Sequence, residues 1–204
     1  MSSPKVLLFD LGGVLVDFVG LRAFSSLLPE PLSPEEVRRR WEASEVFDAF
    51  QRGEVSAEAF AQGILAEWRI ALDPTAFIAL FRSWNRAPLD GAHTLLARLR
   101  PRFTLACLSN TNEVHWEDIL DGHGLRPHFD RHYASHLLRM AKPDPEIYGL
   151  VAADLGRAPA EVVFFDDGPE NVEGARAAGM EAHRVEGIAE LTATLDRLGL
   201  LDGD

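Results

Sequence analysis

Side chains able to do chemistry stand directly after three short apolar runs of the chain. A carboxylate can attack a phosphorus or carbon atom, hydroxyl and amide donors at a helix start can hold a phosphoryl group, and an acidic pair can hold Mg²⁺ through oxygen ligands. The residues concerned are Asp10 after the first run, Ser109, Asn110, Thr111 and Asn112 after the second, and Asp166 and Asp167 after the third. The set indicates phosphoryl-transfer chemistry if the fold brings its members together.

The three apolar runs are predicted to be buried strands of one sheet. Short continuous apolar segments that end at polar or glycine residues are typical of strands covered on both faces. Such segments span residues 5–10, 103–108 and 162–165, and a weaker one spans 181–185. Helix patterns separate them, for example from Asp144-Pro145 to Gly156 and from Pro169 to Gly179. This alternation predicts an α/β fold with a mainly parallel sheet and helices on both faces, whose strand ends gather the polar residues at one edge.

Residues 18–88 interrupt that pattern, with several helix signatures and no convincing strand. Ser33-Pro34 and Asp73-Pro74 are typical helix starts. The aromatic residues of the segment are expected to form the core of a small helical bundle: Phe47, Phe50, Phe60, Trp68, Phe77 and Trp84. Because the segment follows the carboxyl end of a strand, it should cover the edge where ligands bind. We therefore predict a core of residues 1–17 and 89–204, with residues 18–88 as a helical cap.

Four short motifs resemble those of the haloacid dehalogenase-like hydrolases and occur in that family's order. The family's motifs are a strand followed by Asp-x-Asp-Gly-Thr/Val, a strand ending in Ser or Thr, a Lys before Pro, and an acidic pair with a polar residue four positions on. The matching segments are Phe9-Asp10-Leu11-Gly12-Gly13-Val14, Leu108-Ser109-Asn110, Lys142-Pro143-Asp144-Pro145, and Asp166-Asp167 with Asn171. The resemblance spans the whole chain and implies a Rossmann-like core with an α-helical cap inserted after the first motif.

The resemblance also implies catalytic and substrate-binding roles. Asp10 would attack phosphorus and form an aspartyl-phosphate. Ser109, the amide groups near Asn110, and Lys142 would hold the phosphoryl oxygens.

A magnesium site is implied at the same place. Its ligands would be Asp10, Asp167 and the backbone carbonyl of Gly12, with Asp166 as the further acidic candidate. Three carboxylates and Lys142 leave two net negative charges, which would oppose a phosphate dianion unless Mg²⁺ cancelled them.

Gly12 departs from the family pattern, because the usual residue there is a second Asp. That side chain is the family's general acid and base, which protonates the leaving oxygen and later activates water. Loss of such a group typically costs about 10²- to 10⁴-fold in rate. The sequence therefore predicts slow catalysis or a substitute for this group.

Three functions remain open at this point. The leading one is Mg²⁺-dependent hydrolysis of a small phosphate monoester, for example a sugar phosphate, because a cap over the site would exclude large substrates. The second is a 2-haloacid dehalogenase, a branch that also lacks the second carboxylate, although an acidic pair without a metal would repel a haloacid. The third is a catalytically weak phosphate-binding or regulatory protein.

Composition excludes several classes of protein. The chain has 204 residues, of which 47% are hydrophobic and 25% charged, as in ordinary globular proteins. Its net charge of −12 is the wrong sign for nucleic acid or an anionic membrane. Cys107 is the only cysteine, which excludes an intrachain disulfide, and the apolar stretch Val6–Phe9 is too short for a signal-peptide core or a membrane span. We expect a cytoplasmic protein.

Two further sets of polar residues are candidates for binding sites. His128, His132 and His136 are spaced four apart, which would suit a transition-metal site on a helix, but Arg131, Tyr133 and Ser135 favour an extended segment. Arg38, Arg39 and Arg40 lie in a predicted cap helix and are expected to face solvent, with one of them able to reach the crevice.

Overall fold

A five-stranded parallel sheet forms the centre of the protein, whose computed structural model describes residues 6–201. Its strands are β1 (Val6–Phe9), β4 (Thr104–Ser109), β5 (Arg131–Ala134), β6 (Val162–Asp166) and β7 (Glu181–Arg184). In space they follow the order β5-β4-β1-β6-β7, and each neighbouring pair is parallel. The predicted α/β fold with a Rossmann-like parallel sheet is therefore confirmed.

Helices cover both faces of this sheet. Alternate residues of β1 point to opposite faces, so Leu7 and Phe9 pack on one side while Val6 and Leu8 pack on the other. On the Leu7 side lie α6 (Ala92–Leu99) and α10 (Gly187–Arg197), and on the Val6 side lie α8 (Pro145–Asp154) and α9 (Pro169–Ala177). The short helix α7 (Ser135–Leu138) follows β5 directly.

Five further helices, the cap helices, form a separate aromatic core. They are α1 (Gly20–Ser25), α2 (Pro34–Glu42), α3 (Glu45–Gln51), α4 (Ala57–Glu67) and α5 (Pro74–Arg82). Phe50 and Phe60 stack with ring centroids 4.2 Å apart, and both are buried. Ser33 and Asp73 accept hydrogen bonds from the first turns of α2 and α5, as their positions before proline predict. All six aromatic residues assigned to the bundle core belong to this cluster.

One feature of this segment, an antiparallel pair of strands, was not predicted from the sequence. β2 (Val16–Phe18) and β3 (Asn85–Pro88) form an antiparallel pair at the two ends of the cap helices, so the statement that residues 18–88 hold no strand was wrong. β3 reads Asn-Arg-Ala-Pro, which has neither apolar alternation nor β-branched residues. Its pairing comes from contact with a segment about seventy residues away along the chain, and no local pattern encodes that contact.

Three short helical turns lie outside these elements within residues 6–201. A π-helical turn spans Asp118–Gly122, and 3₁₀ turns span Arg126–His128 and Pro159–Glu161. Residues 1–5 and 202–204, which include Lys5 of the first predicted strand, lie outside the described range. None of the described helices is long and apolar enough to cross a membrane.

Candidate active site

Asp10 lies immediately after β1, where the sheet ladder positions it. Its backbone N–H donates to the Phe165 carbonyl at 2.9 Å, and its Oδ1 accepts the Leu11 N–H at 2.7 Å. Burial, together with the nearby carboxylates of Asp166 and Asp167, raises the pKa of Asp10 to about 7 against the opposing charge of Lys142. A carboxylate is thus held at the strand end with few water contacts.

Lys142 joins Asp10 to Asp166. Its Nζ lies 3.0 Å from Asp10 Oδ1 and 2.5 Å from Asp166 Oδ2, and its side chain is 1% exposed. Burial alone would lower the pKa of Lys142, but the charges of Asp10 and Asp166 raise it above its ordinary value, so the ammonium stays protonated. The sequence placed these three residues in one site although they are more than 20 positions apart.

Asp166 uses both carboxylate oxygens within the protein. Oδ2 accepts from Lys142, and Oδ1 accepts from the Gly168 N–H at 2.8 Å and from the Asn171 side-chain amide at 2.9 Å. Asn171 therefore supports Asp166, a role that its spacing from Asp167 did not reveal. Because its oxygens are already engaged, Asp166 is the weaker candidate of the acidic pair for direct contact with a metal.

Asn110 holds the main chain of Lys142. Its side-chain amide donates to the Lys142 carbonyl at 2.8 Å, and its Oδ1 accepts the Lys142 N–H at 2.8 Å. The Asn110 side chain is therefore engaged in fixing Lys142, and the next backbone N–H, that of Thr111, donates to Ser135 Oγ at 2.9 Å. By contrast, the Ser109 hydroxyl has no hydrogen-bond partner within residues 6–201 and lines the cavity beside Asp10.

Three carboxylates form a group suited to a divalent cation. Asp10, Asp166 and Asp167 each offer an oxygen, and these oxygens lie within 4.8 Å of one another. Burial and the charge of Asp166 raise the pKa of Asp167, because a nearby negative charge disfavours ionisation. Hard oxygen donors at this spacing fit Mg²⁺ better than a transition metal, which prefers nitrogen or sulfur ligands.

The turn after Asp10 contains two glycines that differ in what they tolerate. A Cβ built on Gly12 would lie 3.7 Å from Phe18 Cβ, an ordinary contact, and its φ is outside the left-handed region. Gly13 has φ +74°, and a Cβ there would lie 2.5 Å from Asp167 Oδ2. The backbone thus requires glycine at position 13 because Asp167 lies against it, whereas position 12 has room for a side chain.

A cavity of about 1010 Å³ lies between the strand ends and the cap helices. From the core it is lined by Asp10, Ser109, Asn110 and Asp167, among others. From the cap side it is lined by arginine, carboxylate and aromatic side chains, which include Arg22, Glu35, Arg38, Arg39, Trp41, Glu42 and Phe47. Two of the three consecutive arginines therefore reach the crevice, while the third, Arg40, lies over the Trp68 ring. The cavity can hold a small polar molecule with its phosphoryl end at Asp10.

The three spaced histidines do not form a site. His128 belongs to a 3₁₀ turn, His132 to β5 and His136 to α7, so they share no helical face. The expected extended segment is observed as β5.

A different histidine, His115, lines the cavity. Its ring nitrogens contact the Phe81 carbonyl of α5 at 2.7 Å and the side chain of Asn112 at 3.3 Å. Burial lowers its pKa to about 4, so it is neutral near pH 7. The sequence reading did not single out this residue, which lies five positions beyond Asn110.

Hydrogen bonds and ion pairs connect the cap helices to the core. His115 binds the Phe81 carbonyl, and Glu113 accepts the N–H of Ala57 at the start of α4 at 2.8 Å. Two arginines pair with core carboxylates, Arg52 with Asp144 and Arg82 with Asp118, each at 2.6 Å. The cap is therefore attached beside the loops that carry Asn110 and Lys142.

The parallel sheet with an acidic cluster and a buried lysine at its carboxyl edge is the arrangement expected of a hydrolase that uses an aspartate nucleophile. Residues 4–179 match the family model of the haloacid dehalogenase-like hydrolases. The chain belongs to this family of hydrolases.

Known relatives within the family carry out different reactions. The chain is 28% identical to a D-ribitol-5-phosphate phosphatase of Bacteroides thetaiotaomicron over 94% of its own length and 98% of the relative's. It is also 28% identical to an (S)-2-haloacid dehalogenase of Xanthobacter autotrophicus over 91% of its length and 76% of the relative's. Among solved structures, a HAD family enzyme of Bacteroides thetaiotaomicron in complex with magnesium and inorganic phosphate superposes with a TM-score of 0.74 at 25% identity, covering 90% of this chain and 95% of the other.

Proposed function

We propose that the protein hydrolyses a small phosphate monoester in a Mg²⁺-dependent reaction that passes through an aspartyl-phosphate on Asp10. The observation that carries this proposal is the contact of Lys142 Nζ with Asp10 inside a cluster of three carboxylates. A nucleophilic carboxylate, a fixed ammonium and a set of hard oxygen donors supply the parts that phosphoryl transfer needs.

The proposed reaction has two steps, formation and hydrolysis of the aspartyl-phosphate. In the first, an Asp10 carboxylate oxygen attacks phosphorus, the bond from phosphorus to the ester oxygen breaks, and the alcohol leaves after gaining a proton. In the second, water attacks the same phosphorus and releases inorganic phosphate and free Asp10. Lys142, the Ser109 hydroxyl and the Asn110 backbone N–H hold the phosphoryl oxygens throughout.

Mg²⁺, when bound, would neutralise the carboxylates and draw negative charge from the phosphoryl oxygens. Asp10 and Asp167 would hold it together with the Gly12 carbonyl, and Asp166 would hold Lys142 in place beside it. The engagement of both Asp166 oxygens supports this division of roles.

Gly12 provides no side chain to transfer the two protons. The cavity offers two other carboxylates near its core side, Asp17 of β2 and Glu186 after β7. Asp17 is our candidate for a less effective substitute, because it lines the cavity from β2, beyond the turn that carries Asp10 and Gly12.

The cap side of the cavity favours a hydroxyl-rich, otherwise uncharged substrate. That side is lined by the cations Arg22, Arg38 and Arg39 and by the carboxylates Glu35 and Glu42, so both hydrogen-bond donors and acceptors are available. A second phosphate or a carboxylate would face these acids and the acids of the core. We therefore infer a polyol or sugar monophosphate, and the similarity to a ribitol-5-phosphate phosphatase supports that class.

Three wider expectations belong to the same proposal. Residues 1–17 and 89–204 would form the catalytic core and residues 18–88 the cap, with the β2–β3 pair at their junction. The net charge of −12 argues against nucleic acid and anionic membranes as partners. A cytoplasmic location suits a chain whose single cysteine is buried.

A panel of substrates tests the proposed reaction directly. Phosphate and chloride release are measured from polyol phosphates, sugar phosphates, aryl phosphates and 2-chloropropionate, with Mg²⁺ and with EDTA. The proposal requires phosphate release that disappears in EDTA. Chloride release that is insensitive to EDTA would identify a dehalogenase, and no release with retained phosphate binding would identify a binding protein.

A further inference from the structure

Asp144 occupies a helix-capping position but does not cap. It precedes Pro145 at the start of α8, where an aspartate normally accepts hydrogen bonds from the first free N–H groups of the helix. Its side chain makes no such bond. Instead Oδ2 lies 2.6 Å from Nη1 of Arg52, a cap residue 92 positions earlier in the chain.

The segment from Lys142 to Asp144 is held at each residue by a different part of the molecule. The peptide of Lys142 is bound on both sides by Asn110. The Pro143 carbonyl lies against Gly174 of α9, where a Cβ would approach it to 2.8 Å. Asp144 is held by Arg52 at the end of α3. Two of these supports come from the core and the third comes from the cap.

Arg52 is itself well fixed. It donates from Nε to Asp48 at 2.9 Å as well as from Nη1 to Asp144, and its side chain is 22% exposed. Next to it, Gly53 has φ +68° and packs so closely on the core that a Cβ would lie 2.4 Å from the His136 carbonyl oxygen. The end of α3 therefore docks on the core at one defined place, two residues from the site lysine.

We propose that Arg52 is a positioning residue that acts through Asp144 to set the place of Lys142, so that docking of the cap is coupled to assembly of the site. The inference rests on the proposed function, because it assigns a use to the position of Lys142. An error of about 1 Å in a group that contacts the reacting atoms can cost on the order of a hundredfold in rate. Arg52 reaches no reacting atom, and its effect passes through two intervening residues.

The matched control is the other arginine pair between cap and core. Arg82 of α5 contacts Asp118 at the same distance of 2.6 Å, but Asp118 lies in the π-helical turn away from the lysine segment. Arg52→Gln and Arg82→Gln each remove one such pair. We expect kcat/KM to fall about tenfold in Arg52→Gln and to stay within about twofold of wild type in Arg82→Gln, with similar Tm values for the two variants.

Four more variants separate positioning from general stability. Asp144→Asn keeps the size of the side chain but loses the charge, so it should match Arg52→Gln, and the double variant should be no worse than either single. Asp48→Asn removes the charge from the bond of Arg52 within the cap and should leave kcat/KM within about threefold. Arg52→Lys should recover part of the loss, because it restores the charge without the fork of donors.

A binding measurement gives a readout that does not depend on turnover. With Mg²⁺ present, the affinity for inorganic phosphate is measured by calorimetry, and it should weaken several-fold in Arg52→Gln but not in Arg82→Gln. Equal effects of the two variants in an active enzyme, or additive effects of Arg52→Gln and Asp144→Asn, would overturn the inference alone. A wild-type protein that neither releases nor binds phosphate would overturn the proposed function, and the inference with it.

Discussion

The two walls of the cavity are built in different ways. Behind the core wall, Lys142 and Asp166 are buried, and each is held by partners of fixed geometry. On the cap wall, Arg22 is exposed and has no ion-pair partner within residues 6–201, and Phe18 at the rim is 46% exposed. Buried and fully bonded groups suit chemistry that needs fixed distances, whereas exposed groups can adapt to a substrate. We therefore infer that residues of the core wall determine the type of reaction and that residues of the cap wall determine which substrate is preferred.

The walls also differ in the forces that hold them. The core wall depends on backbone ladders of the parallel sheet, which fix Asp10 and Asp166 at adjacent strand ends. The cap wall depends on an aromatic cluster of its own, in which Phe50, Phe60 and Phe81 are in mutual contact. Changes in the core wall should therefore alter kcat, and changes on the cap wall should alter KM.

The largest expected effect is that of Asp10→Asn. The amide is near-isosteric but is a poor nucleophile, so turnover should fall about 10³-fold or more. Initial rates of phosphate release at saturating Mg²⁺ measure the loss. Activity above about one-thirtieth of wild type would show that Asp10 is not the nucleophile.

The stability of the same variant gives its internal control. Because the pKa of Asp10 is raised from 3.8 to about 7, the folded state binds the proton more tightly than the unfolded state, and stability is lost as pH rises through that range. Asp10→Asn removes this penalty, so in EDTA at pH 8 the variant should have a higher Tm than the wild type. Thermal denaturation at pH 5 and pH 8 checks the direction, and a lower Tm at both would indicate a damaged fold.

The two glycines after Asp10 should respond in opposite directions. Gly13→Ala places a Cβ against Asp167 in a left-handed backbone, so activity should fall about a hundredfold. Gly12→Asp meets only Phe18 at an ordinary distance and restores the acid that the family pattern carries, so turnover of alkyl phosphates should rise. Rates on an alkyl and an aryl phosphate are compared for both variants. Unchanged activity in Gly13→Ala would contradict the contact with Asp167.

The acidic pair should separate metal binding from lysine positioning. Asp167→Asn should raise the Mg²⁺ concentration needed for half-maximal activity by about tenfold or more, and Asp166→Asn should raise it less. Asp166→Asn should instead lower the rate at saturating Mg²⁺, because Lys142 loses one of its two charged partners. Magnesium titrations of both variants check the order, and a larger shift for Asp166→Asn would reverse the assignment.

The smallest expected effect is on the cap wall. Arg22→Ala removes an exposed cation from the cavity, so KM should rise about threefold to tenfold while kcat stays within about twofold. Steady-state kinetics on the best polyol or sugar phosphate measure both constants. A fall in kcat with constant KM would break the division of roles between the two walls.

Much of the core wall could be predicted from the sequence because its signals are local. β1, β4 and β6 are short apolar runs, and Asp10, Ser109 and Asp166 stand at or just after their ends. Proline after Ser33 and after Asp73 likewise marked two helix starts correctly. The parallel sheet then brings these strand ends together without further information.

The features that sequence reasoning missed depend on pairs of distant residues. The Asn110 side chain holds the peptide of Lys142, which is 32 positions away. Asp144 stands before proline at a predicted helix start, yet its side chain pairs with Arg52. The β2–β3 pair has the same origin. No periodicity or local motif encodes such contacts, because each depends on how the cap and core segments pack together.

The most direct test of the account is to trap the covalent intermediate. Wild-type protein is mixed with Mg²⁺ and an aryl phosphate, quenched in acid within milliseconds to seconds, digested and analysed by mass spectrometry, with Asp10→Asn as the control. Because Gly12 supplies no base for the second step, the account predicts a burst of the phenol and a phosphoryl group on the peptide that contains Asp10. Product formation without a burst and without phosphorylated Asp10, or a phosphoryl group on another residue, would contradict it.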